Sequence, residues 1–99
     1  RDYDGDAFLE AGGFWMQKQH IFMCPFYYID YSLASMGAFE YYIRSLNDRE
    51  EAWKDYYRLC TMGGSKGYLE LLDEGNLSDP FSEGTVEGIM KKLRKKIFQ

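Results

Sequence analysis

Apolar residues recur at intervals of three and four along most of this chain, and glycine, proline or other turn residues interrupt the pattern at several points. This spacing places apolar side chains on one face of an α-helix. No segment shows the period-two alternation and tight turn that indicate a β-hairpin. The sequence therefore predicts an all-α fold of about four helices, without repeats.

The longest helix is expected to run from Pro25 to Leu46, since proline suits the first turn of a helix. Its apolar stripe, which we expect to be buried, is Ile29, Leu33, Met36 and Ile43.

Capping residues predict the three helices that follow. Asp48 is expected to cap the second helix, and Gly63–Gly64 to end it. Ser65 is expected to cap the third helix, which stops at Gly75, and Ser82 is expected to cap the fourth. The residues of the fourth helix expected to face inward are Val86, Ile89, Met90, Leu93 and Ile97.

The first part of the chain has a weaker pattern. Residues 2–10 are acidic and are typical of the end of a helix that begins upstream, which Gly12–Gly13 then breaks. Residues 14–22 are expected to form a loop or a short extended piece. Arg1 is neither a start methionine nor part of a signal sequence, so we expect the chain to begin inside a longer protein.

The aromatic content is high for one small domain. In 99 residues there are seven Phe, nine Tyr and two Trp, or 18% aromatic residues. A well-packed helical bundle would use part of this content. The alternative is that some aromatic side chains face a larger body, because large exposed apolar patches usually mark a contact surface.

The charge argues against a nucleic-acid partner. The net charge is −4 and the isoelectric point is near 4.9, whereas nucleic-acid-binding domains carry a basic footprint. The basic run Lys91–Lys96 is explained by cations at the C-terminal end of a helix. No run is long enough for a transmembrane helix, so no membrane partner is expected.

The two cysteines, Cys24 and Cys60, are too few for a disulfide framework, and we expect both to be reduced and partly buried. Together with His20 they are the only alternative set of metal ligands suggested by the sequence. The spacing of His20 and Cys24 is a thin signal, and Cys60 is distant in the chain.

The segment from Gly12 to Tyr31 contains the side chains that we consider as candidate catalytic or substrate-binding groups. It holds the only histidine, His20, and three of the nine tyrosines within five residues: Tyr27, Tyr28 and Tyr31. Buried phenolic hydroxyls need hydrogen-bond partners, so clustering them is costly unless they face a polar cleft. Residues three apart on a helix are neighbours, so Tyr28 and Tyr31 can face one small volume. Spacing alone is better explained by phenols in a helix-packing seam.

The same segment resembles the C-terminal part of the oligoendopeptidase F family of zinc peptidases, which are related to thimet oligopeptidase. The specific match is His-Ile-Phe at 20–22 followed by Pro-Phe-Tyr-Tyr-Ile-Asp-Tyr at 25–31. Weaker matches follow at residues 59–66 and 80–87, in the same order. The resemblance implies that residues 1–99 are the C-terminal part of a mostly helical metallopeptidase catalytic domain in a cytoplasmic protein.

The chain departs from this family at the metal. The family binds zinc through His-Glu-x-x-His and a later Glu, and a chain with one histidine cannot contain that motif. The resemblance therefore implies zinc in the parent protein, with ligands outside this chain, and no metal site in this chain. The expected partners are short peptide substrates and the remainder of the catalytic domain. We expect the chain to be inactive by itself.

The resemblance also implies roles for individual residues. Positions matching Tyr31 and Tyr28 hydrogen-bond the tetrahedral intermediate or the substrate, and the position matching His20 contacts the substrate or its developing negative charge. Tyr27, at the edge of that face, and the Gly12–Gly13 loop are expected to border the substrate, although a plain turn explains the glycines as well. The alternative function is a stand-alone helical module that binds a peptide or a protein without catalysis.

Overall fold

The computed structural model describes residues 2–98, and every regular element in that range is helical. The six α-helices are α1 (Ala7–Glu10), α2 (Gln19–Met23), α3 (Tyr28–Ser45), α4 (Arg49–Met62), α5 (Tyr68–Glu74) and α6 (Thr85–Ile97), and a 3-10 helix spans Gly13–Gln17. The predicted all-α class is confirmed. The two additional α-helices, α1 and α2, are the shortest ones. Arg1, from which we expected the chain to begin inside a longer protein, lies outside the described residues.

The chain divides into two compact units, one ending at Tyr31 and the other beginning at Ser32. In the first unit, α1 does not continue an upstream helix, contrary to the prediction. Its N-cap is Asp6, whose side chain accepts a hydrogen bond from the backbone N–H of Leu9 at 2.9 Å. This cap satisfies an N–H that the helix itself leaves unpaired, and it fixes where α1 begins.

The segment 14–22 is helical, so the expectation of a loop or extended piece was wrong. The 3-10 helix ends with a hydrogen bond from Lys18 N–H to the Trp15 carbonyl at 3.0 Å, and α2 follows directly. Trp15 and Phe22 stack with ring centroids 5.7 Å apart. Short helical turns thus bring these aromatic side chains together. In a single extended strand the two residues would be about 23 Å apart, because a strand rises about 3.3 Å per residue.

Pro25 does not start α3, contrary to the prediction. It lies in the turn between α2 and α3, and Phe26 after it has a backbone φ of +71°. A residue in this left-handed region cannot belong to a right-handed helix, so α3 begins only at Tyr28. The end of the helix at Ser45 lies one residue before the predicted Leu46.

In the second unit, two predicted boundaries are confirmed. Asp48 caps α4 by accepting a hydrogen bond from Glu51 N–H at 3.0 Å. Gly63 follows the last residue of α4 with a φ of +52°, a conformation that glycine adopts without steric cost. Gly75 ends α5, also as predicted.

The two predicted serine caps are wrong. Glycines occupy both positions: Gly67 precedes α5 and Gly84 precedes α6. The N–H of Ser65 bonds to the Met62 carbonyl at 3.2 Å, so this residue belongs to the turn that closes α4. The Ser82 hydroxyl bonds to the Asp79 carboxylate at 3.2 Å, which commits it to the turn before α6.

The apolar core of the second unit is small. Among the described residues, its buried apolar side chains are Ala52, Leu72 and Ile89, and each keeps 4–7% exposure. On α6 the predicted inward face is confirmed at Ile89, but Val86 and Ile97 are exposed.

The prediction that the apolar stripe of α3 is buried was wrong. Ile29 is 52% exposed, and Leu33, Met36 and Ile43 are half-buried. The period of the apolar residues marks a face of the helix, but other elements must cover that face before it becomes core.

An ionic network in the second unit is centred on the buried Asp55. Asp55, on α4, is 6% exposed, and its carboxylate forms ion pairs with Arg44 of α3 and Arg58 of α4. Asn76 also donates to it from its side-chain amide at 3.0 Å. Hydrogen bonds from Arg44 and Asn76, and the positive charges nearby, hold the pKa of Asp55 below its ordinary value. The carboxylate is covered by its own partners rather than by an apolar interior.

The same network fixes the turn after α5. Arg44 Nη1 donates to the carbonyl of Asn76 at 2.9 Å, and the Tyr41 hydroxyl donates to the carbonyl of Gly75 at 2.9 Å. These carbonyls belong to a helix end, where the helix itself leaves acceptors unpaired. The network therefore joins α3, α4 and the end of α5 through polar contacts.

Many aromatic side chains of the second unit are exposed. Trp53 is 60% exposed and Tyr57 61% exposed. An open groove of about 810 Å³ lies between α3 and α4, and its lining includes Tyr42, Trp53 and Tyr56.

The prediction that Cys24 and Cys60 are partly buried was wrong, since both are exposed free thiols.

Candidate functional site

His20 and three tyrosines form one aromatic cluster in the first unit. His20 is on α2, Tyr27 is in the turn before α3, Tyr28 is the first residue of α3, and Tyr31 lies one helical turn further on. We call these four residues the His20 cluster. The sequence predicted Tyr28 and Tyr31 on one helical face with Tyr27 at its edge, and the fold brings His20 of α2 against these tyrosines.

The four rings contact one another in a closed circuit. His20 lies edge-on to Tyr28 and to Tyr27, with ring centroids 4.3 and 6.0 Å apart. Tyr31 lies edge-on to Tyr27 and to Tyr28, at 5.4 and 5.9 Å. Each edge-to-face pair is favourable because the positive ring edge meets the negative ring face. The circuit limits the orientation of every ring.

The hydroxyl groups of Tyr27 and Tyr31 form a hydrogen bond of 3.2 Å. This bond is the largest cause of a raised pKa for Tyr27, and the nearby charge of Asp30 raises that pKa further. Tyr27 therefore holds its proton more firmly than an isolated tyrosine does.

The cluster is accessible. The exposed fractions are 45% for Tyr27, 40% for Tyr28 and 55% for Tyr31, and His20 is half-buried. Solvent therefore reaches the phenols of this chain while the ring contacts hold them in place. Phenol and imidazole N–H groups donate hydrogen bonds, so the cluster can stabilise an oxygen that carries or develops negative charge.

Gly12 and Gly13 contact α1. Gly12 has a φ of +90°, and its N–H bonds to the Leu9 carbonyl at 3.0 Å. Gly13 is buried, and a β-carbon there would lie 2.5 Å from the Phe8 ring. Local structure thus explains why glycine occupies both positions. Gly12 adopts a left-handed turn, and Gly13 lies too close to Phe8 for a β-carbon. Their substrate-bordering role stays a prediction.

Residues 2–98 do not fit a zinc site. Within residues 2–98 there is no group of three or more His, Cys, Asp and Glu side chains close enough to hold a metal ion. The neighbours of His20 are phenols, which are not the nitrogen, thiolate and carboxylate ligands that zinc prefers. The alternative set of His20, Cys24 and Cys60 therefore has no support from the fold.

Sequence reasoning missed two features. One is the network around Asp55, for which the only local signal was the spacing of Asp55 and Arg58. The other is the left-handed residue Phe26, for which the sequence offers no signal because glycine or asparagine is the usual residue in that conformation.

No helix within residues 2–98 is both long and apolar enough to cross a membrane.

Comparison with solved structures shows where this fold occurs. The chain is 42% identical to a protein described as an oligoendopeptidase F, with a TM-score of 0.89 over 100% of this chain. It is 44% identical to PZ peptidase A, solved with an inhibitor, with a TM-score of 0.89 over 99% of this chain. An oligoendopeptidase F from Bacillus anthracis is 38% identical, with a TM-score of 0.72 over 91%.

The matched region is a small part of each of these proteins. This chain covers 18%, 17% and 17% of their respective lengths. No protein-family model matches the chain, and no curated protein sequence matches it. The identity to the solved structures, together with the agreement of the whole fold, confirms the resemblance seen in the sequence. This chain belongs to the oligoendopeptidase F family, and it spans less than one fifth of the solved members to which it is similar.

Proposed function

We propose that this chain provides the substrate-facing His20 cluster of a peptidase that hydrolyses short peptides. The observation that supports it most directly is the closed circuit of His20, Tyr27, Tyr28 and Tyr31, which holds several hydrogen-bond donors on one accessible surface. The family to which the chain belongs supports the reaction class. The chain alone is expected to be inactive.

In this proposal Tyr31 donates its phenolic proton in a hydrogen bond to the carbonyl oxygen of the scissile peptide bond. That oxygen gains negative charge as the carbonyl carbon becomes tetrahedral, so the hydrogen bond strengthens in the transition state. Tyr28, whose ring is 5.9 Å from that of Tyr31, donates to the same oxygen or to a neighbouring peptide group. His20, held against Tyr28, contacts the substrate from the side of α2.

The proposal places the family's zinc on residues outside this chain, because the residues described here do not fit it. The contribution of this chain is to bind and orient the peptide and to stabilise charge on the carbonyl oxygen.

The decisive experiment is Tyr31→Phe in the full-length protein that contains this chain. We expect kcat to fall by about 10²–10³ while KM changes little, because the lost hydrogen bond acts mainly in the transition state. Steady-state hydrolysis of a fluorogenic short peptide measures both constants. Tyr57→Phe is the matched control, since it removes an exposed hydroxyl of α4 outside the His20 cluster. An unchanged kcat for Tyr31→Phe would remove Tyr31 from this role.

The second candidate is a helical module that binds a peptide or a protein without catalysis. The open aromatic groove between α3 and α4, lined by Trp53 and Tyr56, favours this candidate, since tryptophan and tyrosine are common in binding surfaces. It predicts that the full-length protein binds short peptides but does not cleave them. Hydrolysis that is lost in Tyr31→Phe and retained in Tyr57→Phe would exclude it as the sole function.

A further inference from the structure

We infer that Tyr27 is a positioning residue: its hydroxyl donates a hydrogen bond to the oxygen of Tyr31 and so directs the Tyr31 proton towards the substrate. This inference rests on the proposed function of Tyr31. It assigns Tyr27 a role that differs from the direct substrate contact expected from the sequence.

The geometry of the pair supports this role. The two hydroxyl oxygens are 3.2 Å apart, and the rings are 5.4 Å apart with an interplanar angle of 80°. The residues are four apart, so successive turns of the chain bring them together. The contact therefore depends on the backbone and on ring packing, as well as on the hydrogen bond.

Proton counting fixes the direction of the hydrogen bond in the working enzyme. Each phenol has one proton to donate and an oxygen that can accept. If Tyr31 donated to Tyr27, its only proton would be unavailable to the substrate oxygen. Tyr27 must therefore be the donor whenever Tyr31 stabilises the developing charge.

The orientation of Tyr27 is fixed from two sides. The left-handed backbone of Phe26 immediately before it sets the course of the chain into α3, and the His20 ring packs edge-to-face with the Tyr27 ring, with centroids 6.0 Å apart. A non-glycine residue at positive φ carries a steric cost, and such residues are concentrated at functional sites. The strained turn thus places the Tyr27 hydroxyl beside Tyr31.

A donor behind Tyr31 has a chemical effect as well as a geometric one. Hydrogen bonds in a chain polarise one another, so donation from Tyr27 makes the Tyr31 proton a better donor to an anionic oxygen. This effect is larger in the transition state than in the ground state, because only the transition state carries the full charge. Loss of the Tyr27 hydroxyl should therefore lower kcat and leave KM nearly unchanged.

A double-mutant cycle in the full-length protein tests this inference, with Tyr27→Phe, Tyr31→Phe and the combined variant. Tyr27→Phe keeps the ring and its packing and removes only the hydroxyl. We expect kcat to fall about 3- to 10-fold, the range for one hydrogen bond, with KM within about twofold. In the Tyr31→Phe background the same change should have an effect of less than about twofold, because the hydroxyl that it supports is already absent.

Each other outcome overturns the inference for an identifiable reason. If Tyr27→Phe mainly raises KM, Tyr27 contacts the substrate directly. If it lowers kcat equally in both backgrounds, it acts independently of Tyr31. If Tyr31→Phe itself leaves kcat unchanged, the proposed function fails first and the inference fails with it. Thermal unfolding of each variant provides the folding control, since an unchanged melting temperature separates positioning from a loss of structure.

Discussion

The Asp55 network and the His20 cluster are two groups of polar side chains whose surroundings differ. In the second unit, Asp55 is covered by Arg44, Arg58 and Asn76, and its carboxylate oxygens are all used within the protein. In the first unit, the cluster tyrosines are 40–55% exposed and are held mainly by their rings. Buried polar groups must be paired to avoid a large desolvation cost, whereas exposed donors that are held in place remain available to a ligand. The first arrangement is expected for stability and the second for function.

Asp55→Asn is the change with the largest expected effect on stability. The variant keeps the shape of the side chain but removes the charge, so the partly buried Arg44 loses its carboxylate partner and keeps only carbonyl acceptors such as that of Asn76. We expect the free energy of unfolding to fall by about 3 kcal/mol. Urea unfolding of the chain, followed by far-ultraviolet circular dichroism, measures this loss.

Glu74→Gln is the matched control for Asp55→Asn. It also removes one carboxylate charge, but the ion pair of Glu74 with Lys66 lies at the surface, where solvent screens it. We expect no measurable change in stability. Equal losses in the two variants would mean that the burial of Asp55 is unimportant for the stability of the second unit.

The pH dependence of stability should reveal the part of the Asp55 contribution that depends on ionisation of its carboxylate, which is smaller than the whole effect of Asp55→Asn. The pKa of Asp55 is lowered in the folded state from its ordinary value of 3.8, so folding favours the ionised form. This stabilisation is complete above the ordinary value and is lost as the pH falls through the lowered folded value. We therefore expect the stability difference between the wild-type chain and Asp55→Asn to shrink below about pH 4. A difference that is constant across this range would show that ionisation of Asp55 does not stabilise the fold.

Gly13→Ala tests the packing of the first unit and has the smallest expected effect. The new β-carbon would lie 2.5 Å from the Phe8 ring and 2.7 Å from the Phe8 backbone oxygen, which cannot rotate away. We expect a loss of about 1–2 kcal/mol. Gly88→Ala, inside α6 with open space around it, is the matched control and should instead stabilise by about 0.5–1 kcal/mol. A neutral Gly13→Ala would mean that Gly13 does not hold α1 against the 3-10 helix.

Local signals predicted the elements whose boundaries depend on adjacent residues. Asp48 and Gly63 lie at the two ends of α4, as predicted, because a side-chain acceptor and a left-handed glycine act within one helical turn. The predictions at Ser65 and Ser82 failed for a related reason. Both serines are good caps in isolation, but each is used in a neighbouring turn.

Predictions that depend on distant residues were weaker. The stripe of α3 was correctly placed on one face, but its burial requires elements that cover it, and Ile29 remains exposed. The Asp55 network joins residues up to 32 positions apart in the chain, and the spacing of Asp55 and Arg58 indicates only one of its ion pairs. The helical segment 14–22 was missed because its aromatic side chains contact one another only after the chain has turned.

The sequence by itself determined the helical class, the family, and the presence of His20, Tyr28 and Tyr31 as candidate residues. These follow from residue types and short spacings, which a reader of the sequence sees directly. The tertiary structure decided that His20 lies against Tyr28, that the Tyr27 and Tyr31 hydroxyls meet, and that Asp55 is covered by its partners. Such contacts depend on the turn at Phe26 and on the packing between helices, which are settled only when the whole chain has lost its conformational freedom.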